Sequence, residues 1–141
     1  MDLRSLGVLA AFTLALLPAC SADHPAPANA SSAGAAAAPA GLPDHDPALA
    51  HKLAAEGALV LDVRTPEEFS GKRVEGAVNI PVDEVEGKMS EIDKLTGGDK
   101  DKPIVVYCAA GGRAASAKRM LVKAGHTKVT NLGGVADWDR K

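Results

Sequence analysis

Two runs of the chain, "ALVLDV" at 58–63 and "KPIVVYC" at 102–108, are apolar at almost every position and end abruptly. A strand with one face in water alternates apolar and polar residues, whereas a strand covered on both faces does not. Each run therefore reads as a central strand of a parallel sheet, and parallel strands need helices to carry the chain back across the sheet. Helical segments lie where that architecture wants them. "DPALAHKLAAEGA" offers Asp46 as an N-cap, Pro47 at the first helical position, Leu49 and Leu53 on one face and Gly57 as a stop. In "TPEEF", Thr65 precedes Glu68 by three residues with Pro66 between them, a capping-box signature. Val82, Val85, Met89, Ile92 and Leu95 recur at spacings of three and four, which predicts a single helix over 82–95 despite Gly87. "RAASAKRMLVKAG" predicts a helix stopped at Gly125, with His126 beside its C-cap, and "GAVNIP" and "KVTNL" supply shorter strands. The expected fold is α/β, a central parallel sheet of four to five strands flanked by helices on both faces. Aromatic residues make up only 3% of the chain, so the core must be built from Ala, Val, Leu and Ile.

The first 43 residues have a different texture. Arg4 precedes an apolar run from Leu6 to Leu17, too short to cross a bilayer comfortably, since a spanning helix needs about 20 residues. Residues 1–19 read as a secretory signal. "LPAC" at 17–20 resembles the bacterial lipoprotein signal, which implies that Cys20 is acylated as the first residue of the mature chain. Ser21 in the following place implies sorting to the outer membrane, so the expected location is periplasmic and lipid-anchored through Cys20. Residues 20–43 are Ala, Pro, Ser and Gly with almost no large apolar side chain, too little buried surface to offset the entropy of ordering. They read as a tether that could hold a domain at 44–141 on the order of 60 to 80 Å from a bilayer.

In open α/β sheets, ligands bind beyond the carboxyl ends of the strands. Cys108 stands at that end of the second run, followed by Ala109, Ala110, Gly111, Gly112 and Arg113 at the start of a helix. Amides of a glycine-rich turn and the positive end of a helix dipole favour thiolate over thiol there. Arg113 can pair with an anionic substrate through a bidentate fork. A buried cysteine ahead of an ordinary strand-to-helix turn can equally be a small hydrophobe, and position alone leaves both open.

Four ordered pieces decide more: "LDVRTPEEFSGKRVEGAVNIP", "KPIVVYC", "CAAGGRA" and "AGHTKVTNLGGVADW". Together they resemble the rhodanese family over about residues 45–138. The resemblance implies a single sulfurtransferase domain, acting as a monomer without metal or organic cofactor. It implies that Cys108 takes a sulfane sulfur from a donor such as thiosulfate and passes it to cyanide or another thiol. It also implies that Ala109, Ala110, Gly111, Gly112 and Arg113 form the loop holding the persulfide. Asp62 and Arg64 match the family's "D-V-R" element and are expected to be structural, Asp62 bracing the neighbouring loops and Arg64 reaching Glu68. Trp138 is expected in a core or lid. Arg73 stands where many members carry His, and Ala109 and Ala110 are neutral where some thiosulfate-using members carry cations, which leaves the donor open.

Other classes fit less well. Cysteine-dependent phosphatases and arsenate reductases of related fold place one more residue between cysteine and arginine than the four found here. A resolving cysteine for arsenate reduction is missing, because the chain has two cysteines and Cys20 is expected to be acylated. A non-catalytic binding or redox-sensing module is disfavoured by the retention of both Cys108 and Arg113. His24, His45, His51 and His126 show no metal-ligand spacing with Cys108, and no phosphate-binding G-x-x-x-x-G-K-[ST] is present. A net charge of −2 and a pI near 6.1 give no basic footprint for nucleic acid.

Overall fold

A computed structural model describes residues 41–140. The elements run α1 (Pro47–Ala55), β1 (Leu59–Asp62), α2 (Pro66–Gly71), β2 (Val78–Asn79), α3 (Met89–Leu95), β3 (Ile104–Cys108), α4 (Gly112–Lys123) and β4 (Val129–Gly134), with 3-10 turns at Val82–Glu84 and Val135–Asp139. The four strands form one parallel sheet in the order β2-β1-β3-β4. All residues of β1 and β3 are buried, as two-sided coverage requires. Alternation sorts their side chains onto two faces. Leu59, Leu61, Ile104, Val106 and Cys108 pack with Ile92 of α3 and with Ala114, Ala117 and Leu121 of α4. Val60, Val105 and Tyr107 pack on the opposite face with Ala50, Leu53 and Leu132, and Trp138 lies against this second cluster.

Local signals act as the sequence suggests at several ends. The Asp46 carboxylate accepts the Leu49 amide at 2.9 Å, with Pro47 behind it. Thr65 and Glu68 close a reciprocal capping box at the head of α2. Gly125, at φ +99°, ends α4 in a Schellman arrangement, its own N–H reaching the Val122 carbonyl and that of His126 the Leu121 carbonyl.

The single helix expected over 82–95 does not form. Pro81 starts a 3-10 turn at Val82–Glu84, the backbone leaves helical geometry at Lys88 after Gly87, and α3 begins only at Met89. Glycine loses the most backbone entropy in a helix, about 1 kcal/mol relative to alanine, so the chain breaks where it is cheapest. Val85 and Ile92 still reach the core, while Leu95 is exposed.

Buried His126 places Nε2 3.1 Å from Asp93, whose carboxylate also receives Lys100. Burial, and secondarily Lys100, lowers its pKa from the ordinary 6.5 against the smaller pull of Asp93. The unfolded chain therefore binds a proton at this residue more readily than the folded one, and stability is expected to fall as pH drops through 6.5. Urea melts across that range should show the loss, and His126→Gln should flatten it.

Candidate active site

Strand order turns the carboxyl ends of β1 and β3 into one crevice. The connection after β1 runs outward to β2 and the one after β3 runs the other way to β4, so this is the switch point at which open α/β sheets bind ligands. Asp62 lies level with Tyr107 across that boundary. From one lip come Arg64, Glu68 and α2; from the other come Cys108, its loop and α4.

The cysteine is buried, and its Sγ accepts the Gly111 N–H at 2.9 Å. Burial pushes the thiol pKa up, but the backbone amides of Ala114, Ala110, Gly111 and Arg113 together outweigh it and bring the value below the ordinary 9.0. Hydrogen bonding to the charged form is the cause, which suits any anion held on this sulfur. Ala109, Ala110 and Gly112 are exposed along the loop, while Gly111 is buried beneath it. Gly111 adopts φ +95°, and a side chain there would press on Gly133 and the His45 ring as well as strain the backbone. At Gly134, level with Cys108, a Cβ would lie 2.5 Å from the Ala109 carbonyl oxygen, so the loop closes over bare backbone.

Arg113 extends from α4 to Glu68, its two terminal nitrogens 2.7 and 3.0 Å from the two carboxylate oxygens. That fork, and then the Thr65 amide, lowers the Glu68 pKa to about 2. The folded value lies below the ordinary 4.5, so the stability contribution of this pair is full above that value and fades as pH falls toward about 2. Both side chains are about one-third exposed, and the pair matters more for placing charge than for stability. Glu68→Gln removes a negative charge beside the guanidinium and is expected to lower the pH at which Cys108 titrates. Arg113→Ala is expected to raise it. The pH profile of alkylation by iodoacetamide reads both shifts.

Arg64 corrects the expectation that it reaches Glu68. Its guanidinium turns back onto Asp62, with contacts of 3.0, 3.1 and 2.6 Å, and donates further to the Lys72 carbonyl while lying over the Tyr107 ring. Asp62 also accepts the Arg64 N–H at 2.9 Å, and the Asn79 side chain ties the carbonyls of Asp62 and Arg64. Asp62 thus ties down the loop after β1.

Residues 46–141 match the rhodanese-like domain family. This chain belongs to that family. The thiosulfate sulfurtransferase PspE of Escherichia coli is 39% identical to it over 77 residues, covering 55% of this chain and 70% of that protein. A sulfurtransferase of Allochromatium vinosum is 35% identical over 94 residues, 65% of this chain and 82% of the relative. Among solved structures, a rhodanese with anions from E. coli matches with a TM-score of 0.52 at 37% identity, covering 57% of this chain and 91% of that one. The human single-domain sulfurtransferase TSTD1 matches with a TM-score of 0.57 at 25% identity, covering 72% and 96%.

Within this rhodanese-like domain, Cys108 and the loop 109–113 lie at the carboxyl end of β3 and the Asp62–Arg64 pair at that of the neighbouring β1, the pair on the Tyr107 face of the sheet, whereas Cys20 lies outside the described residues. Two residues at the crevice escape sequence reasoning. Glu68 reads as a helix cap and as a partner of Arg64, and its actual partner beyond the cap, Arg113, is 45 positions away. Asn131 reads only as part of a strand; the Asn-x-Gly-Gly that follows a strand pattern is the signal that could have found it. A groove of about 530 Å³ lined by Met89, Met120, Arg119 and Lys123 includes none of residues 108–113, so this groove and the cysteine are separate features. Among the described residues no group of His, Cys, Asp and Glu could hold a metal ion.

Proposed function

We propose that this protein is a thiosulfate-type sulfurtransferase working through a persulfide on Cys108. What carries the proposal is the Cys108 sulfur itself, seated on the Gly111 amide with its pKa lowered by surrounding backbone amides and with Arg113 at the end of a four-residue interval. The Cys108 thiolate attacks the outer sulfur of thiosulfate, an S–S bond forms, and sulfite leaves with the electron pair of the bond that breaks. An acceptor, cyanide or a thiolate, then attacks the outer sulfur of the persulfide and returns Cys108 as thiolate. No net oxidant is needed. The terminal sulfur is anionic in the intermediate, and the amides of Ala110, Gly111, Arg113 and Ala114, already turned to Cys108, are donors beside that charge. Arg113 neutralises the incoming donor while Glu68 keeps the fork in place. A tight loop with two neutral alanines suits a small donor more than a bulky phosphate ester.

The deciding assay supplies thiosulfate and cyanide and follows thiocyanate, in parallel with hydrolysis of an aryl phosphate. Thiocyanate formation without phosphate release is the expected result; phosphate release without thiocyanate would replace this function with a phosphatase.

The chain is further proposed to be exported and held at a membrane surface, on the outer membrane, by a lipid on Cys20, with residues 20–40 in its tether. "LPAC" and the composition that follows support this. Residues 41–43, expected to belong to the tether, instead lie against β4, the Leu42 N–H donating to the Val129 carbonyl at 3.0 Å and the Pro43 carbonyl accepting the Thr130 hydroxyl. Cys20→Ala is expected to move the protein from the membrane to the soluble fraction, and an unchanged distribution would remove the anchor from the account.

A further inference from the structure

Asn131 is buried, it is polar, and it lies where β4 loses register with β3. Val106 pairs with Asn131, but Tyr107 pairs with Gly133, so Leu132 is an extra residue in the ladder. The Asn131 side chain fills the irregularity. Its Oδ1 accepts the Gly133 N–H at 2.9 Å, and its Nδ2 donates to the Gly111 carbonyl at 3.3 Å. Only this orientation of the amide satisfies both partners, since one is a donor and the other an acceptor. The Asn131 backbone is held equally firmly: its N–H reaches the Asp44 carboxylate at 2.8 Å, and its carbonyl receives the His45 N–H at 2.8 Å. Lys118 in turn clamps Asp44 at 2.6 Å.

Gly111 is the residue whose N–H lies on the Cys108 sulfur. As a glycine at φ +95° it has no side chain to lock its orientation, and its carbonyl would otherwise be fixed only by the Ala115 N–H of the first helical turn. We infer that Asn131 is a positioning residue for sulfur transfer: by pinning the Gly111 carbonyl from β4, it aims the Gly111 amide at Cys108. Asn131 does not touch the sulfur and acts through Gly111. The inference rests on the persulfide function proposed above, yet it makes a claim about the resting thiol that can fail separately.

The test is the pH profile of Cys108 alkylation by iodoacetamide in the full chain, compared with Asn131→Ser and Asn131→Asp. Serine keeps a short acceptor near Gly133 but cannot reach Gly111. Aspartate keeps the acceptor, loses the donor and adds a negative charge. The expected outcome is an upward shift of the titration midpoint by about one pH unit for serine, the scale of one hydrogen bond to a charged group. A larger upward shift is expected for aspartate. Circular dichroism identifies which variants remain folded, and a folded serine variant with an unmoved midpoint overturns the inference. Should neither variant fold, nitrogen-15 spectra of the unmodified chain decide. The Asn131 side-chain amide and the Gly111 amide should then titrate with the midpoint of the Cys108 thiol, and an Asn131 signal indifferent to that titration overturns it. Alkylation needs no sulfur donor, so a protein that never forms a persulfide would sink the proposed function while leaving this result readable.

Discussion

Cys108→Ser is expected to abolish sulfur transfer, lowering thiocyanate formation by at least about 10⁴-fold, the scale on which loss of a covalent nucleophile is felt. Loop amides that favour a thiolate cannot make an alkoxide from serine near neutral pH, and oxygen cannot carry the sulfane sulfur through the same exchange. The substitution should leave the fold in place. Serine is nearly the same shape, and its oxygen can accept the Gly111 N–H that now reaches sulfur at 2.9 Å. Coupled measurement of activity and thermal melting separates the two effects. A melting temperature within a few degrees of the parent, with no transfer, is the predicted pattern; retained transfer would place the chemistry elsewhere.

The second large effect concerns stability. Asp62 is fully buried and Arg64 nearly so, their closest contact is 2.6 Å, and the guanidinium is otherwise held by one backbone carbonyl and an aromatic face. Removing one partner of a buried pair leaves a charge in a poor solvent, at a cost of about 3–5 kcal/mol. Asp62→Ala should therefore lower the melting temperature by on the order of 20 °C for a domain of this size. Adding Arg64→Met should recover part of the loss, because the stranded charge is then gone. Differential scanning calorimetry of the single and double variants checks both statements, and a single variant that melts within a few degrees of the parent would show that Arg64 finds water or another partner.

Sequence reasoning succeeded where one physical effect dominates. The buried strands β1 and β3 were legible because two-sided burial demands unbroken apolar runs, and the start of α1 because Asp46 and Pro47 have few other uses. It failed where two effects compete. The spacing of Val82 to Leu95 fits a helix, but Pro81 and Gly87 divide it, and periodicity alone does not weigh backbone entropy against burial. Arg64, as part of the "D-V-R" element, was expected to reach Glu68; the buried Asp62 offers Arg64 a stronger partner, and Glu68 is left for Arg113. That exchange depends on β1 lying beside β3, a fact of strand order that no local pattern carries. Asn131 was missed for the same reason, since its importance lies in reaching Gly111 from another strand.

Intact-mass spectrometry of the full chain after exposure to thiosulfate tests the central claim most directly. The account predicts one added sulfur atom, removed by a thiol reductant or by cyanide and absent from Cys108→Ser. An unchanged mass under conditions where Cys108 alkylates readily, or a sulfur adduct that survives in Cys108→Ser, would contradict it.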